Sequence, residues 1–241
     1  MNLSLLLQFA VVLGAIAIGA RFGGVALGLW GAVGVVVLAV VFGVPPTSPP
    51  IDVMLIIIAV VMAASVMEAA GGIDYLVSVA ERIIRRYPKR ITLVAPLVAY
   101  AFTFGAGTGH VFYPLLPIIY EVAHDSGVRP ERPISVSSIA SQQAITASPV
   151  SAAMAAMIVL FTPLGFGLPQ IMMIAVPATL MGVIVASLVQ TRVGKDLKDD
   201  PEYQARLAAG EIPPPTPHHV KAEQPLQPGA KLSAMLFLLG V

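Results

Sequence analysis

Residues 91–123 read ITLVAPLVAYAFTFGAGTGHVFYPLLPIIYEVA. These 33 mostly apolar positions hold one charged side chain, Glu121, and are interrupted at their centre by Gly105-Ala106-Gly107-Thr108-Gly109-His110. Hydrocarbon offers no water to free backbone groups, so a break at membrane depth survives only when buried in protein or lining an aqueous cavity. The stretch is either a broken span or a re-entrant hairpin. Its flanks favour the hairpin: Arg82, Arg85, Arg86, Lys89 and Arg90 precede it, Arg129 and Arg132 follow it, and the positive-inside rule makes both ends cytoplasmic.

The rest of the chain reads as a membrane protein too. Of 241 residues, 57% are hydrophobic and 11% charged, with a mean hydropathy of +0.86, where soluble domains carry about 25% charge. Residues 133–191 hold no charge at all, and 192–241 hold 12 of the 27 charged side chains. A net charge of +1 leaves no basic excess for nucleic acid. Without cysteine there is no disulfide framework, thiolate metal site or thiol nucleophile.

Residues 1–72 predict three transmembrane helices, at 3–20, 24–44 and 51–70, each about the length a bilayer requires. The first is a span rather than a signal peptide, because no basic residue precedes Arg21. Gly24 and Gly28 form a GxxxG pair, with Gly31 and Gly34 near the same face, which predicts close helix packing. Residues 73–90 place Ile73, Leu76, Val77, Ala80, Ile83, Ile84 and Tyr87 opposite Asp74, Glu81, Arg82, Arg85 and Arg86. That pattern predicts an amphipathic interfacial helix on the cytoplasmic membrane surface, and counting back through three spans puts the N-terminus outside.

Within 124–192, residues 133–161 predict a crossing helix broken at Thr146-Ala147-Ser148-Pro149, and 169–191 a closing span whose end carries Arg192, Lys195 and Lys198. Residues 193–230 read as a polar, mobile cytoplasmic linker with a short helix near 201–209. Its adjacent His218-His219 pair lacks partner ligands and reads as incidental rather than as a metal site. The apolar run Ala234–Val241, within 231–241, is too short to span and is expected to begin a second half.

The two breaks hold the candidate chemistry. The first offers close backbone approach at Gly105, Gly107 and Gly109, a hydroxyl on Thr108 and an imidazole on His110, the only histidine or charged residue between Arg90 and Glu121. His110 reads equally as a proton carrier, a substrate donor or a neutral histidine bonded to backbone. The second break offers Thr146, Ser148 and Ser151, with Pro149 unable to donate a backbone N–H. Upstream lie Ser135, Ser137, Ser138, Ser141, Gln142 and Gln143. An anion held here would rely on helix N-termini, hydroxyls and amides in place of cations, as in secondary transporters with discontinuous helices. The competing reading is that the breaks only kink packed helices and the serines bond back to their own turns. Glu68 reads as an interfacial acid or a cation ligand, and Asp52 as a helix N-terminal residue. No HExxH, G-x-S-x-G or Walker A motif is present, so no enzyme is expected.

Several segments together resemble the anaerobic C4-dicarboxylate transporter (Dcu) family: Gly23-Gly24-Val25-Ala26-Leu27-Gly28, Pro50-Ile51-Asp52-Val53-Met54-Leu55, Ala70-Gly71-Gly72-Ile73-Asp74, Gly107-Thr108-Gly109-His110, Leu116-Pro117-Ile118-Ile119-Tyr120, Arg129-Pro130-Glu131-Arg132-Pro133 and Ala147-Ser148-Pro149-Val150-Ser151. The resemblance covers about residues 20–200 and implies an all-α integral membrane protein of the bacterial inner membrane that takes up or exchanges fumarate, succinate, malate and aspartate. It implies one inverted-repeat half of an elevator-type carrier of the ion-transporter superfamily. It also implies no cofactor, a coupling proton or sodium ion, and, by analogy, a homodimer and a sensor-kinase partner. On this reading Gly107, Thr108, Gly109 and His110 at the hairpin tip and Thr146, Ser148 and Pro149 at the helix break cradle the substrate, with Ser138 and Gln142 behind them. The rival readings are a dicarboxylate-sensing membrane co-regulator and a carrier for another ion on the same architecture.

Overall fold

The computed structural model describes residues 3–45, 51–212, 214 and 226–240, and these residues are helical with short connections. Pro46, Pro49 and Pro50, the Asp52 side chain, and His218-His219 with the adjoining stretch of the linker lie outside the described residues. The chain divides into two compact units, Met1–Pro50 and Ile51–Val241.

In the first unit α1 (Leu3–Phe22) turns at Gly23 and Gly24, both at positive φ, into α2 (Val25–Phe42). The helices pack where side chains vanish: a Cβ on Gly19 would sit 2.9 Å from the Leu27 Cα, and one on Gly34 3.0 Å from the Ala15 Cβ. The contact face of α2 therefore follows Leu27, Trp30 and Gly34, at i, i+3 and i+7. Of the glycine row expected to make it, Gly34 lies in that face, while Gly24, Gly28 and Gly31 have open space before them.

The second unit opens with α3 (Ile51–Ala69), which bends by 74° through Ala70 and the left-handed Gly71 into α4 (Gly72–Arg86). Of the apolar face predicted for α4, Ile73, Leu76, Ala80 and Ile84 are buried and Val77 is half-buried, while Ile83 and Tyr87 at its end are exposed. Its buried residues pack on protein. Ala80 and Ile84 share a core with Ile91, Ala95 and Ala99 of α5 (Ile91–Ala106) and with Leu115, Ile119 and Ala123 of α6 (Leu115–Asp125). Periodicity reports that a helix face is covered, not by what. On the outer side, Arg85 bonds Glu81 at 2.7 Å and Glu121 at 3.2 Å. Burial works against its charge, but those bonds outweigh burial and raise its pKa.

After α6 come α7 (Glu131–Ala147), α8 (Ala152–Phe161) and α9 (Leu168–Gln190). Four stretches among the described residues have the length and apolarity to cross a membrane: Leu3–Phe22, Val25–Phe42, Glu131–Leu164 and Leu168–Gln190. With 16 and 11 residues, α5 and α6 rise only about 24 and 17 Å at 1.5 Å per residue, short of the ~30 Å hydrocarbon core.

The near end of the linker is tied down rather than free. Arg132 donates to the carbonyls of Val193 and Gly194 and to Asp196, and Arg129 pairs with Asp200 at 3.3 Å. On α10 (Pro201–Ala208), the Tyr203 hydroxyl lies 2.9 Å from His124 Nε2. Finally α11 (Ala230–Gly240) buries Ala234 and Phe237 against Met67, Ile73 and Leu76.

Candidate functional site

The two breaks meet. Helices α5 and α7 run side by side in the same direction, as a ladder of contacts toward their C-terminal ends shows. Thr103 and Ser141, both fully buried, pair hydroxyls at 3.0 Å. Further along α7, Ser148 donates its hydroxyl to the Phe104 carbonyl at 2.6 Å. Beyond it, a Cβ on Gly107 would lie 2.7 Å from Val150 Cγ2 and 2.9 Å from the Val150 carbonyl oxygen. Behind the breaks, the Tyr100 hydroxyl lies 2.8 Å from that of Thr179 on α9. Thr179 gives its own proton to the Ala175 carbonyl at 2.7 Å, so Tyr100 is the donor of that pair.

Each break is closed by its own local chemistry. Gly107, at φ +66°, ends α5 by donating its N–H to the Thr103 carbonyl, a left-handed cap that suits glycine. The following strand-like Thr108 leads into a short turn at Gly109–Val111. On the other side α7 stops at Ser148, and Ser151 caps α8, accepting from the Met154 N–H at 3.0 Å while donating to the Ser148 carbonyl at 3.1 Å. The first turn of α8 thus points its N-terminal, partially positive end into the break.

A cavity of about 330 Å³ opens beside this junction, within the range usual for small-molecule sites. Its inner wall is Gly107, Thr108 and His110 from the hairpin tip and Ser151, Ala152 and Ala155 from the start of α8. Its outer wall is α3, with Ile57, Val60, Ala64, Ser65 and Glu68. The wall carries no lysine or arginine. Its polar groups are the hydroxyls of Ser65, Thr108 and Ser151, the glycine backbone, the His110 imidazole, the Glu68 carboxylate and the N-terminus of α8.

The family model described as an anaerobic C4-dicarboxylate membrane transporter matches residues 4–241. The chain belongs to this family. Among curated proteins, the C4-dicarboxylate transporter DcuA of Wolinella succinogenes is 44% identical over 237 residues, covering 98% of this chain and 54% of its own. DcuA of Escherichia coli K12 is 43% identical over 240 residues, with the same shares. The anaerobic C4-dicarboxylate transporter DcuB of Escherichia coli O6:H1 is 42% identical over 210 residues, 85% of this chain and 47% of its own. The chain therefore spans about half the length of the curated relatives it matches. No solved structure matches it. The C4-dicarboxylate transporter family and these relatives are membrane transporters rather than enzymes.

Of the residues predicted to form the site in this family member, Gly107, Thr108 and His110 line the cavity. Gly109 instead lies against α7, its missing Cβ 3.8 Å from Ser141 Oγ and 3.9 Å from Gln142 Nε2. Thr146 bonds back to the Gln142 carbonyl, and Ser138, Gln142 and Thr146 share an exposed face of α7 away from the cavity wall. Pro149 is half-buried in the break, also off the wall.

Ser148 requires a correction. Fully buried, with its hydroxyl committed to Phe104, it joins the two broken helices instead of facing a ligand. Ser148→Ala leaves the Phe104 carbonyl unpaired and should cost about 1–3 kcal/mol of stability, read as a lowered thermal midpoint in detergent with substrate KM nearly unmoved. A raised KM at unchanged stability would return Ser148 to the ligand set. Ser151, named at the second break but not placed in the cradle, and Glu68, read as an interfacial acid or a cation ligand, also line the cavity. Ser151 had a signal, a serine immediately before the apolar run Ala152–Phe161, which is an N-cap signature.

Proposed function

We propose that the protein containing this chain is a secondary transporter of C4-dicarboxylates such as fumarate, succinate, malate and aspartate, working in the bacterial inner membrane. The observation that carries this reading is the cavity at the junction of two interrupted helices, with the Thr108 hydroxyl, the His110 imidazole and the α8 N-terminus on one wall and no lysine or arginine. One carboxylate of the substrate sits at the N-terminal end of α8 near Ser151, and Thr108 and the Gly107 backbone complete the cradle. His110 is the flexible donor at its edge.

In the same reading α5 and α6 form a re-entrant hairpin entering from the cytoplasm, α7 and α8 form one broken crossing, and the chain is one of two inverted repeats. The hydroxyl-bonded block of α5, α7, α8 and α9 moves as a body past α3, which meets the cavity mainly through apolar side chains. The N-terminus is periplasmic and residues 193–230 are cytoplasmic. A homodimer would use the open row of Gly24, Gly28 and Gly31.

The test is uptake of labelled fumarate by proteoliposomes carrying the protein expressed from its complete reading frame. Thr108→Val should raise KM about tenfold, the loss of one hydrogen bond to a charged group, with normal membrane levels. Kinetics identical to the parent would take Thr108 out of the cradle, and absence of any C4-dicarboxylate flux in the parent would end the transport reading.

A further inference from the structure

We propose that the corner between α4 and α5, residues 82–90, binds the phosphate headgroups of anionic lipids, with Arg86, Lys89 and Arg90 as the charged contacts and Ile83 and Tyr87 as the apolar ones.

The run Arg82-Ile83-Ile84-Arg85-Arg86-Tyr87-Pro88-Lys89-Arg90 carries five cations in nine residues and leads directly into the apolar helix α5. The basic flank on the other side of α5 and α6 is spent inside the protein. Arg132 is clamped by Asp196, and Arg129 pairs with Glu131 and Asp200. The segment after α9 adds no excess either, because over residues 192–202 Arg192, Lys195 and Lys198 are outnumbered by Asp196, Asp199, Asp200 and Glu202. At the corner itself, Arg85 is neutralised by Glu81 and Glu121, and Arg82 is engaged as well. Arg86, Lys89 and Arg90 differ: they are exposed and, among the described residues, form no ion pair.

Two apolar side chains complete the patch. Ile83 and Tyr87, about one helical turn apart, are 38% and 47% exposed, although the same stretch buries Ala80 and Ile84 against protein. The Arg86 guanidinium lies 5.8 Å from the centre of the Tyr87 ring, which holds a cation beside the aromatic without cancelling its charge. Cations around an exposed tyrosine and isoleucine, at the start of an apolar helix, match a bilayer interface. The aromatic sits at headgroup level and the long basic side chains reach the phosphates. Free phosphate or an acidic peptide would use the cations alone, so the exposed Ile83 and Tyr87 favour a phosphate that carries acyl chains. Each cation beside an anionic membrane contributes roughly fivefold in affinity, the equivalent of about 1 kcal/mol.

The experiment titrates the complete protein, in a neutral detergent, with dioleoylphosphatidylglycerol and reads the lipid concentration that gives half of the maximal rise in thermal midpoint. Phosphatidylglycerol should raise the midpoint well above the effect of dioleoylphosphatidylcholine, and inorganic phosphate should leave it unmoved. Arg86→Gln, Lys89→Gln and Arg90→Gln together should require at least about tenfold more phosphatidylglycerol. Arg90→Gln alone, which removes one exposed charge, should require roughly fivefold more and decides the matter if the triple variant does not extract. Arg86→Lys with Arg90→Lys, which keeps the charge, should match the parent. Arg192→Gln, Lys195→Gln and Lys198→Gln together also remove three cations and should stay within about twofold of the parent. A parent indifferent to phosphatidylglycerol, an unchanged response in the variants at 86, 89 and 90, an equal shift in those at 192, 195 and 198, or stabilisation by phosphate alone overturns the proposal.

Discussion

Gly107→Ala should be the most damaging single substitution at the junction, with a loss of about 2–5 kcal/mol. Two costs combine. The residue sits at φ +66°, where an L side chain adds about 1–2 kcal/mol, and its new Cβ would stand 2.9 Å from the Val150 carbonyl oxygen, overpacking worth about 1–3 kcal/mol. The methyl of Val150 can turn aside, but its backbone cannot without moving the whole second break. Expected results are a sharp fall in monodisperse protein on extraction, a lowered thermal midpoint and loss of fumarate uptake. Gly105→Ala is the control two residues away, because its Cβ would meet only the Leu238 Cδ2 at 3.0 Å, the end of a flexible side chain. If the two variants melt alike, the interlocking of the breaks at Gly107 and Val150 is wrong.

Arg132→Met should come next, at about 2–4 kcal/mol, because the Arg132 side chain is 9% exposed and holds three acceptors at once. Removing it strands two carbonyls and a carboxylate beside a buried site, and stranded partners cost far more than the pair is worth when intact. Asp196→Asn should cost no more than about 1 kcal/mol, since that carboxylate is 45% exposed and water can replace its partner. Arg132→Lys should recover only part of the loss, as one ammonium cannot reproduce the guanidinium fork. Thermal unfolding in detergent reads all three, and an Asp196→Asn effect equal to that of Arg132→Met would show that the ion pair, rather than the carbonyl clamp, holds α7 to the end of α9.

Much of this architecture is legible in the residues. Helices α1, α2, α3 and α9 begin and end within three residues of where apolar length and Gly or Pro punctuation put them. Both breaks fall at the predicted motifs, because glycine at a left-handed cap and a serine N-cap act through local backbone chemistry. The buried face of α4 is also legible, since a 3.6-residue stripe is a property of one helix.

Partner identity was not legible in the same way. The stripe on α4 suits a bilayer and a protein core equally, and only the placement of α5 and α6 decides between them. Of the glycine row predicted for α2 only Gly34 meets α1, because the turn at Gly23 and Gly24 presents it together with Leu27 and Trp30.

The amino acids alone determined a helical membrane protein with two nearly charge-free, interrupted segments, glycine chemistry at the first break and hydroxyl chemistry at both. The tertiary structure decided which hydroxyls are available. Ser148 and Ser151 stand three residues apart in one break, and both hydroxyls are spent inside it, the first on the carbonyl of Phe104, 44 positions upstream, the second on the carbonyl of Ser148, which leaves the Thr108 hydroxyl at the cavity. The physical reason is that a buried carbonyl must find a donor, and which donor reaches it depends on how two helices distant in sequence lie against each other.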